Sequence, residues 1–182
     1  MQLFQYKEIG LKLLADEDAL LLVKWLSDPA VLAYYEGRDR PHDLALVREN
    51  FYSKDRHVTP CLIQYNGLSI GYLQFYELDK EDQAAYGYSN PSEIIFGMDQ
   101  FIGETEYWGR GIGTKLIQSM IKYLTEQRIA SKIVMDPQTW NERALHVYEK
   151  CGFVKKQLLK EHELHEGKYR DCWLIEYTHN KE

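Results

Sequence analysis

At 182 residues, with 45% apolar and 13% aromatic composition, the chain can bury one substantial core, and a single domain over residues 1–182 is expected. Its formal charge of −6, from 22 basic and 28 acidic residues, argues against a nucleic-acid binder; it is compatible with a cationic partner, and taken alone reads first as a solvated surface. Met1 to Ile9 lacks a basic region followed by an apolar run, and no stretch approaches the roughly 18 apolar residues of a spanning helix, so a cytoplasmic protein with no membrane partner is expected.

Gly10 to Leu14 reads as a first short strand. Asp16 is then placed as the N-cap of a helix in which Ala19, Leu20, Leu22, Val23 and Leu26 recur at helical spacing. Asp28-Pro29 is expected to stop it. The segment Tyr34-Tyr35-Glu36-Gly37-Arg38-Asp39 mixes aromatics with charges. Its tyrosines read either as core or, with Glu36, as a wall that stacks on a sugar-like ring and binds its amines. A second helix is predicted over Pro41 to Tyr52. Strands follow at Cys61 to Tyr65, Ser69 to Tyr76 and Glu93 to Gln100, the first two joined by the hairpin dipeptide Asn66-Gly67. Between the second and third, the polar and acidic Glu77 to Pro91 is expected to form a long loop that can border a site.

On the third strand, Ile94, Phe96 and Met98 share one face, and Ile95, Gly97 and Asp99 the other. Asp99 thus lies beside a gap left by Gly97, either as a satisfied structural acid or as a ligand-facing carboxylate. Next comes Trp108-Gly109-Arg110-Gly111-Ile112-Gly113-Thr114, with Leu116, Ile117, Met120, Ile121 and Leu124 behind it at helical spacing. Alternate glycines remove Cβ atoms and let amide N–H groups converge, and a helix N-terminus favours an anion, so the turn is read as a phosphate cradle. It is neither a P-loop, which needs Gly-Lys-Ser/Thr, nor a dinucleotide fingerprint, which needs Gly-x-Gly-x-x-Gly after a strand.

Lys132 to Met135 reads as a further strand closed by Asp136-Pro137, and Asn141 to Cys151 as a helix ended by Gly152. Phe153 to Leu159 and Tyr169 to Tyr177 are final strands joined by the charged Glu161-His162-Glu163-Leu164-His165-Glu166-Gly167-Lys168. Histidines three apart do not make a zinc helix, which spaces them by four; their setting before Gly167 and a strand favours a hairpin, and the stretch reads as an acidic loop, solvated or facing a substrate. Cys61, Cys151 and Cys172 lack metal-ligand spacing and read as reduced thiols. No metal is expected.

Three features in order, Met98-Asp99-Gln100, the Gly-x-Gly-x-Gly turn, and Asn141-x-x-Ala144-x-x-x-Tyr148-x-Lys150-x-Gly152-Phe153, resemble the GCN5-related N-acetyltransferase (GNAT) superfamily over roughly Glu93 to Phe153. The resemblance implies an α+β GNAT fold, a mixed, mostly antiparallel central sheet flanked by helices, with acetyl-CoA as cosubstrate. It further implies that backbone groups from Trp108 through Gly109, Arg110, Gly111, Ile112 and Gly113 to Thr114 hold the pyrophosphate. Gln100, Phe101 and Ile102 would pair with the pantetheine arm, with Asn141, Ala144 and Lys150 beside the cofactor and Tyr148 near the thioester sulfur. The superfamily's turn usually opens on Gln or Arg; here Trp108 stands there, and Arg110 is expected to supply the charge.

Tyr34 to Asp39, Gly97 to Glu104 and Glu161 to Lys168 are similar to the aminoglycoside 6′-N-acetyltransferases, including the acetyltransferase half of a bifunctional resistance enzyme, which implies an enzyme acting on a polycationic aminoglycoside; with no kinase half after Glu182, a stand-alone enzyme, monomeric or weakly dimeric, is expected. Tyr35, Glu36, Asp99, Asp136, Glu161 and Glu163 become its expected substrate-binding residues. An aliphatic amine must lose a proton before it attacks a thioester, so Asp99 is the expected base and anchor. Tyr148 is expected to assist the departing thiolate, and N–H groups near Phe101 to hold the carbonyl oxygen. The alternative acceptors are a polyamine or a peptide amine.

Overall fold

The structure, a computed structural model of the chain, describes residues 1–52 and 57–180. Among these, eight strands form one mixed sheet: β1 (Gln2–Tyr6), β2 (Ile9–Leu13), β3 (Val58–Tyr65), β4 (Leu68–Glu77), β5 (Ile95–Ile102), β6 (Lys132–Met135), β7 (Val154–His165) and β8 (Lys168–Thr178). Their order is β1-β2-β3-β4-β5-β6-β8-β7. Pairs β1/β2, β2/β3 and β6/β8 run antiparallel, while β5/β6 is parallel. The helices are α1 (Ala19–Trp25), α2 (Pro29–Leu32), α3 (Leu44–Phe51), α4 (Lys80–Ala85), α5 (Ile112–Gln127) and α6 (Glu142–Lys150). This is the mixed α+β sheet architecture expected of the chain. None of the described helices is long and apolar enough to cross a membrane.

The chain divides into two compact units, one of Met1–Gln74, Gln100–Gly113 and Leu164–Lys168, the other of Phe75–Asp99, Thr114–Glu163 and Tyr169–Glu182. In the first, Ala19, Leu22, Trp25 and Leu26 recur on one face and pack with Val47, Phe51, Tyr72 and Phe101. Trp25 is fully buried, edge-on to Phe101 at 6.2 Å. Burying a ring of this size removes roughly 200 Å² from water, about 5 kcal/mol before entropy is counted. In the second unit, Leu78, Ile95, Val134 and Leu174 form a buried cluster, and α5 buries Leu116, Ile117, Met120 and Leu124 on one stripe. Helix α6 is capped at both ends. Asn141 Oδ1 accepts from the Ala144 N–H at 3.3 Å, while at the other end Gly152 (φ +97°) lets Phe153 and Gly152 donate to the Tyr148 and Glu149 carbonyls, a Schellman motif.

Several sequence expectations are corrected here. Strand β1 was not expected; a bulge between Gln2 and Phe4 breaks its period of two. Asp16 is not the cap. Asp18 instead accepts the Ala15 N–H at 2.9 Å and pairs with Lys12 at 3.2 Å, across a 3₁₀ turn that precedes α1. Leu20 is exposed. Asp28-Pro29 opens α2 rather than merely ending α1, with Asp28 accepting from the Ala30 N–H at 2.9 Å and proline at the first helical position.

Glu77 to Pro91 contains α4, where Asp79 caps the Asp82 N–H at 2.8 Å and Glu81 and Asp82 favour the positive first turn. The helix buries no residue, so it carried no apolar signal. The acidic stretch after Leu159 is strand rather than loop: β7 continues to His165 and turns on Glu166-Gly167 (φ +49°, +76°) into β8.

Candidate active site

In the first unit the glycine turn is fastened from its entry side. Lys24 Nζ and Trp25 Nε1 both donate to Glu104 Oε1, at 2.6 and 2.9 Å. Burial works against the Glu104 charge, but these hydrogen bonds outweigh it and its pKa is lowered. A side chain at Gly103 would collide with the Trp25 indole. Gly109 and Gly111 have φ of +70° and +74°, with open space where a Cβ would stand. No side chain therefore stands over the turn, and α5 opens directly behind it with first-turn amides that have no acceptor within the helix.

Trp108 plays a different part from the one expected. Its amide donates to Thr105 O at 3.0 Å and its indole to Ile102 O at 2.9 Å. It clamps the turn, with both its amide and its indole N–H already engaged. Arg110 is exposed over the Tyr107 ring at 5.0 Å.

Gln100 and Ile102 are half-buried at the end of β5. The β5/β6 register runs from Ile95–Lys132 to Gly97–Val134, and β6 ends at Met135 while β5 runs on to Ile102. The Phe101 side chain faces the aromatic core, 5.8 Å from Tyr72 and 4.6 Å from Tyr35. Of the two readings of the aromatic pair, Tyr35 is core packing, whereas Tyr34 is exposed and edge-on to Trp108 at 5.7 Å. Glu36 adopts a left-handed φ of +69° and lies 3.9 Å from Arg40. Two segments that sequence reading could not connect meet here. Arg38 grips Glu166 through Nε (2.5 Å), a second guanidinium nitrogen (2.8 Å) and its own N–H (3.1 Å).

In the second unit Asp99 stands on the same face of β5 as Gly97, and the Tyr76 ring fills the Gly97 gap; a Cβ there would meet that ring at 2.5 Å. Burial, then the charges of Asp99 and Asp136, push the Tyr76 phenol up. Tyr86 is raised by burial, then by Asp136, Asp82 and Asp99, and its hydroxyl donates to Asp136. His162 Nε2 hydrogen-bonds Asp136 Oδ2 at 2.8 Å. Tyr76, Tyr86, Asp82 and Asp136 line a cavity of 100 Å³ with an apolar floor that includes Leu78 and Leu174. Asp99 and Asp136, expected together from the sequence, thus act on the same two phenols. Tyr76, Asp82 and Tyr86 were missed; the acidic character of the segment carrying two of them was the available signal.

Tyr148 lies half-buried on α6, 6.2 Å from the Phe153 ring, and Cys151 donates to Thr114 O at 3.7 Å, tying the end of α6 to the start of α5. Ala144 is half-buried and Lys150 exposed on the same helix. Glu161 and Glu163 are both exposed and neither lines the cavity. Glu161, at φ +47°, forms an irregularity whose amide donates to Asp171 at 2.9 Å, and Glu163 accepts from the Cys172 thiol at 3.7 Å. Burial, followed by the Glu163 charge, pushes that thiol up to about 12, and burial does the same at Cys61, as expected of inert thiols.

Residues 15–160 match the model of the acetyltransferase (GNAT) domain. The chain is 30% identical over 152 residues to aminoglycoside N(6′)-acetyltransferase type 1 of Klebsiella pneumoniae, covering 81% of this chain and 75% of that protein. A crystal structure of AAC(6′)-Ib with ribostamycin and coenzyme A matches at 26% identity and a TM-score of 0.74, over 94% of each chain. Spermidine N-acetyltransferase from Vibrio cholerae, in complex with CoA and spermine, matches at a TM-score of 0.75 over 95% of this chain and 96% of that one, at 19% identity, a likeness of fold alone.

Proposed function

The chain belongs to the GNAT acetyltransferase family, and on that premise we propose that it transfers acetyl from acetyl-CoA to the 6′-amine of aminoglycoside antibiotics, by direct attack in a ternary complex, and so confers resistance. The observation that carries this reading is the negative field of Asp99, Asp136 and Asp82 around Tyr76 and Tyr86, which suits a multiply cationic acceptor.

Acetyl-CoA is the cosubstrate, and the chain's residues fit it. The left-handed Gly109 and Gly111 leave the turn clear of side chains, and the α5 amides add the positive end of a helix dipole for the pyrophosphate. When bound, acetyl-CoA supplies the thioester carbonyl as electrophile.

The remaining chemistry belongs to the chain. An aliphatic amine is mostly protonated near neutral pH. Asp99 attracts the ammonium and accepts its proton, directly or through water, which frees the nitrogen lone pair for attack. Asp136 holds another charge of the acceptor. Amides at Phe101 stabilise the carbonyl oxygen, and Tyr148 donates to the sulfur as it departs.

The same acidic cavity favours a second reading, acetylation of a polyamine. A thiol-release assay with acetyl-CoA across kanamycin, tobramycin, gentamicin and spermidine separates the two. Faster turnover of kanamycin than of spermidine at equal concentration supports the proposal; release with spermidine alone rejects it.

A further inference from the structure

Glu176 and Tyr88 have no part in the mechanism above, yet a short hydrogen bond joins them in the second unit. Glu176 is 4% exposed on β8, opposite Val134 of β6. Tyr88 donates its hydroxyl to Glu176 Oε2 at 2.6 Å, and Thr178 donates to Oε1 at 2.7 Å. Burial opposes the Glu176 charge, but these two hydrogen bonds, with the charges of Lys156 and Lys132, outweigh it and its pKa is lowered. The Tyr88 ring is held on its face as well, by the Lys132 ammonium at 5.1 Å, which itself lies 2.6 Å from Glu93 Oε1.

Helix α4 buries no residue, and its segment meets the sheet through the half-buried Tyr86 and Tyr88, which pack on Leu78, Ile95, Val134 and Leu174. The helix ends in a Schellman motif. Gly87, at φ +81°, lets the Tyr88 N–H donate to Gln83 O at 2.8 Å and the Gly87 N–H to Ala84 O at 3.0 Å. Tyr88 is thereby locked to the last turn of α4, whose C-cap, Tyr86, lines the cavity. Where Tyr88 is fastened, Tyr86 follows.

We infer that Glu176 is a positioning residue: without touching the acceptor, it holds the end of α4 through Tyr88, and so keeps Tyr86 at the wall of the cavity. This rests on the proposed reading of that cavity as the acceptor's, and it assigns the group that keeps its wall in place. Breaking the bond opens the segment locally, which weakens acceptor binding and leaves the residues proposed for acetyl-CoA as they were.

Three variants test it. Tyr88→Phe removes the hydroxyl and keeps the ring, Glu176→Gln keeps an oxygen that accepts from Tyr88, and the double variant closes the cycle. Steady-state kinetics with kanamycin and spermidine are read beside amide hydrogen exchange of peptides covering residues 77–91. In Tyr88→Phe, exchange over this segment and KM for the acceptor both rise about tenfold, while kcat and KM for acetyl-CoA stay within about twofold of the wild type. Glu176→Gln raises both by about threefold, and the double variant does no more than Tyr88→Phe alone.

Unaltered exchange over residues 77–91 in Tyr88→Phe, additive effects in the double variant, or an equal rise of both KM values, as a general loosening of the fold would give, overturns the inference. If spermidine is acetylated and kanamycin is not, the aminoglycoside reading fails and the KM comparison is made on spermidine. If neither reacts, the proposed function fails, while exchange still decides whether Glu176 holds α4.

Discussion

In the proposed mechanism the Asp99 carboxylate has two tasks, to attract an ammonium and to take its proton, and replacing one oxygen by an amide separates them. Asp99→Asn is expected to lower kcat on kanamycin by about 10² to 10⁴, the usual worth of a positioned base, and to raise KM as well. Parental turnover in a thiol-release assay would remove Asp99 from both roles. Tyr148→Phe is expected to cost less, within about tenfold in kcat, because a thiolate leaves without much help. Gly97 supports the same corner, since a Cβ there must displace the Tyr76 ring from 2.5 Å. Gly97→Ala should cost about 1–3 kcal/mol in urea unfolding, the usual range for overpacking. No loss of stability would mean that Tyr76 is free to move. Asp99 could be singled out from sequence because strand alternation set it beside a glycine; Tyr76 could not, since only the pairing of strands reveals which ring fills that gap.

The contact between two elements far apart in the chain gives an independent prediction. Arg38 and Glu166 lie 128 positions apart and form a bidentate pair. Arg38 hydrogen bonds hold the Glu166 pKa at about 2, against an ordinary 4.5. The folded value is depressed, so the contribution to stability is present above 4.5 and is lost as pH falls toward 2. The pair is exposed and screened, so its role is mainly to fix geometry. Carboxyl NMR titration should find Glu166 near 2 in the wild type and back near 4.5 in Arg38→Met; an unchanged titration would contradict the assignment.

Legibility at this scale follows burial. Helices α5 and α6, with apolar stripes and, in α6, clear caps, could be read from sequence, whereas α4 buries nothing and is defined by Asp79 alone. Strand β7 was cut short because nearly all its residues are exposed, which leaves no alternation to count.

Across the whole molecule, binding should be visible as stability. A ligand at 100 times its Kd adds about 2.7 kcal/mol to unfolding, which for a chain of this size corresponds to roughly 5–10 °C in Tm. Coenzyme A is expected to give such a shift, and Gly111→Val, which forces a β-branched residue to φ +74°, to abolish it. An undiminished shift would move the phosphate site elsewhere.

The donor was legible because the strand, the glycine turn and the later Asn-to-Phe segment occur in one order. The cavity proposed for the acceptor was only partly so: it gathers Tyr76, Asp82, Tyr86 and Asp136 from distant stretches, a convergence that no spacing records. The central claim concerns that acceptor. It is tested most directly by incubating the protein with acetyl-CoA and kanamycin and locating the new amide by two-dimensional NMR of the product. The account predicts a single acetyl group on the 6′-nitrogen; acetylation at another amine, or none on kanamycin while spermidine is consumed, would contradict it.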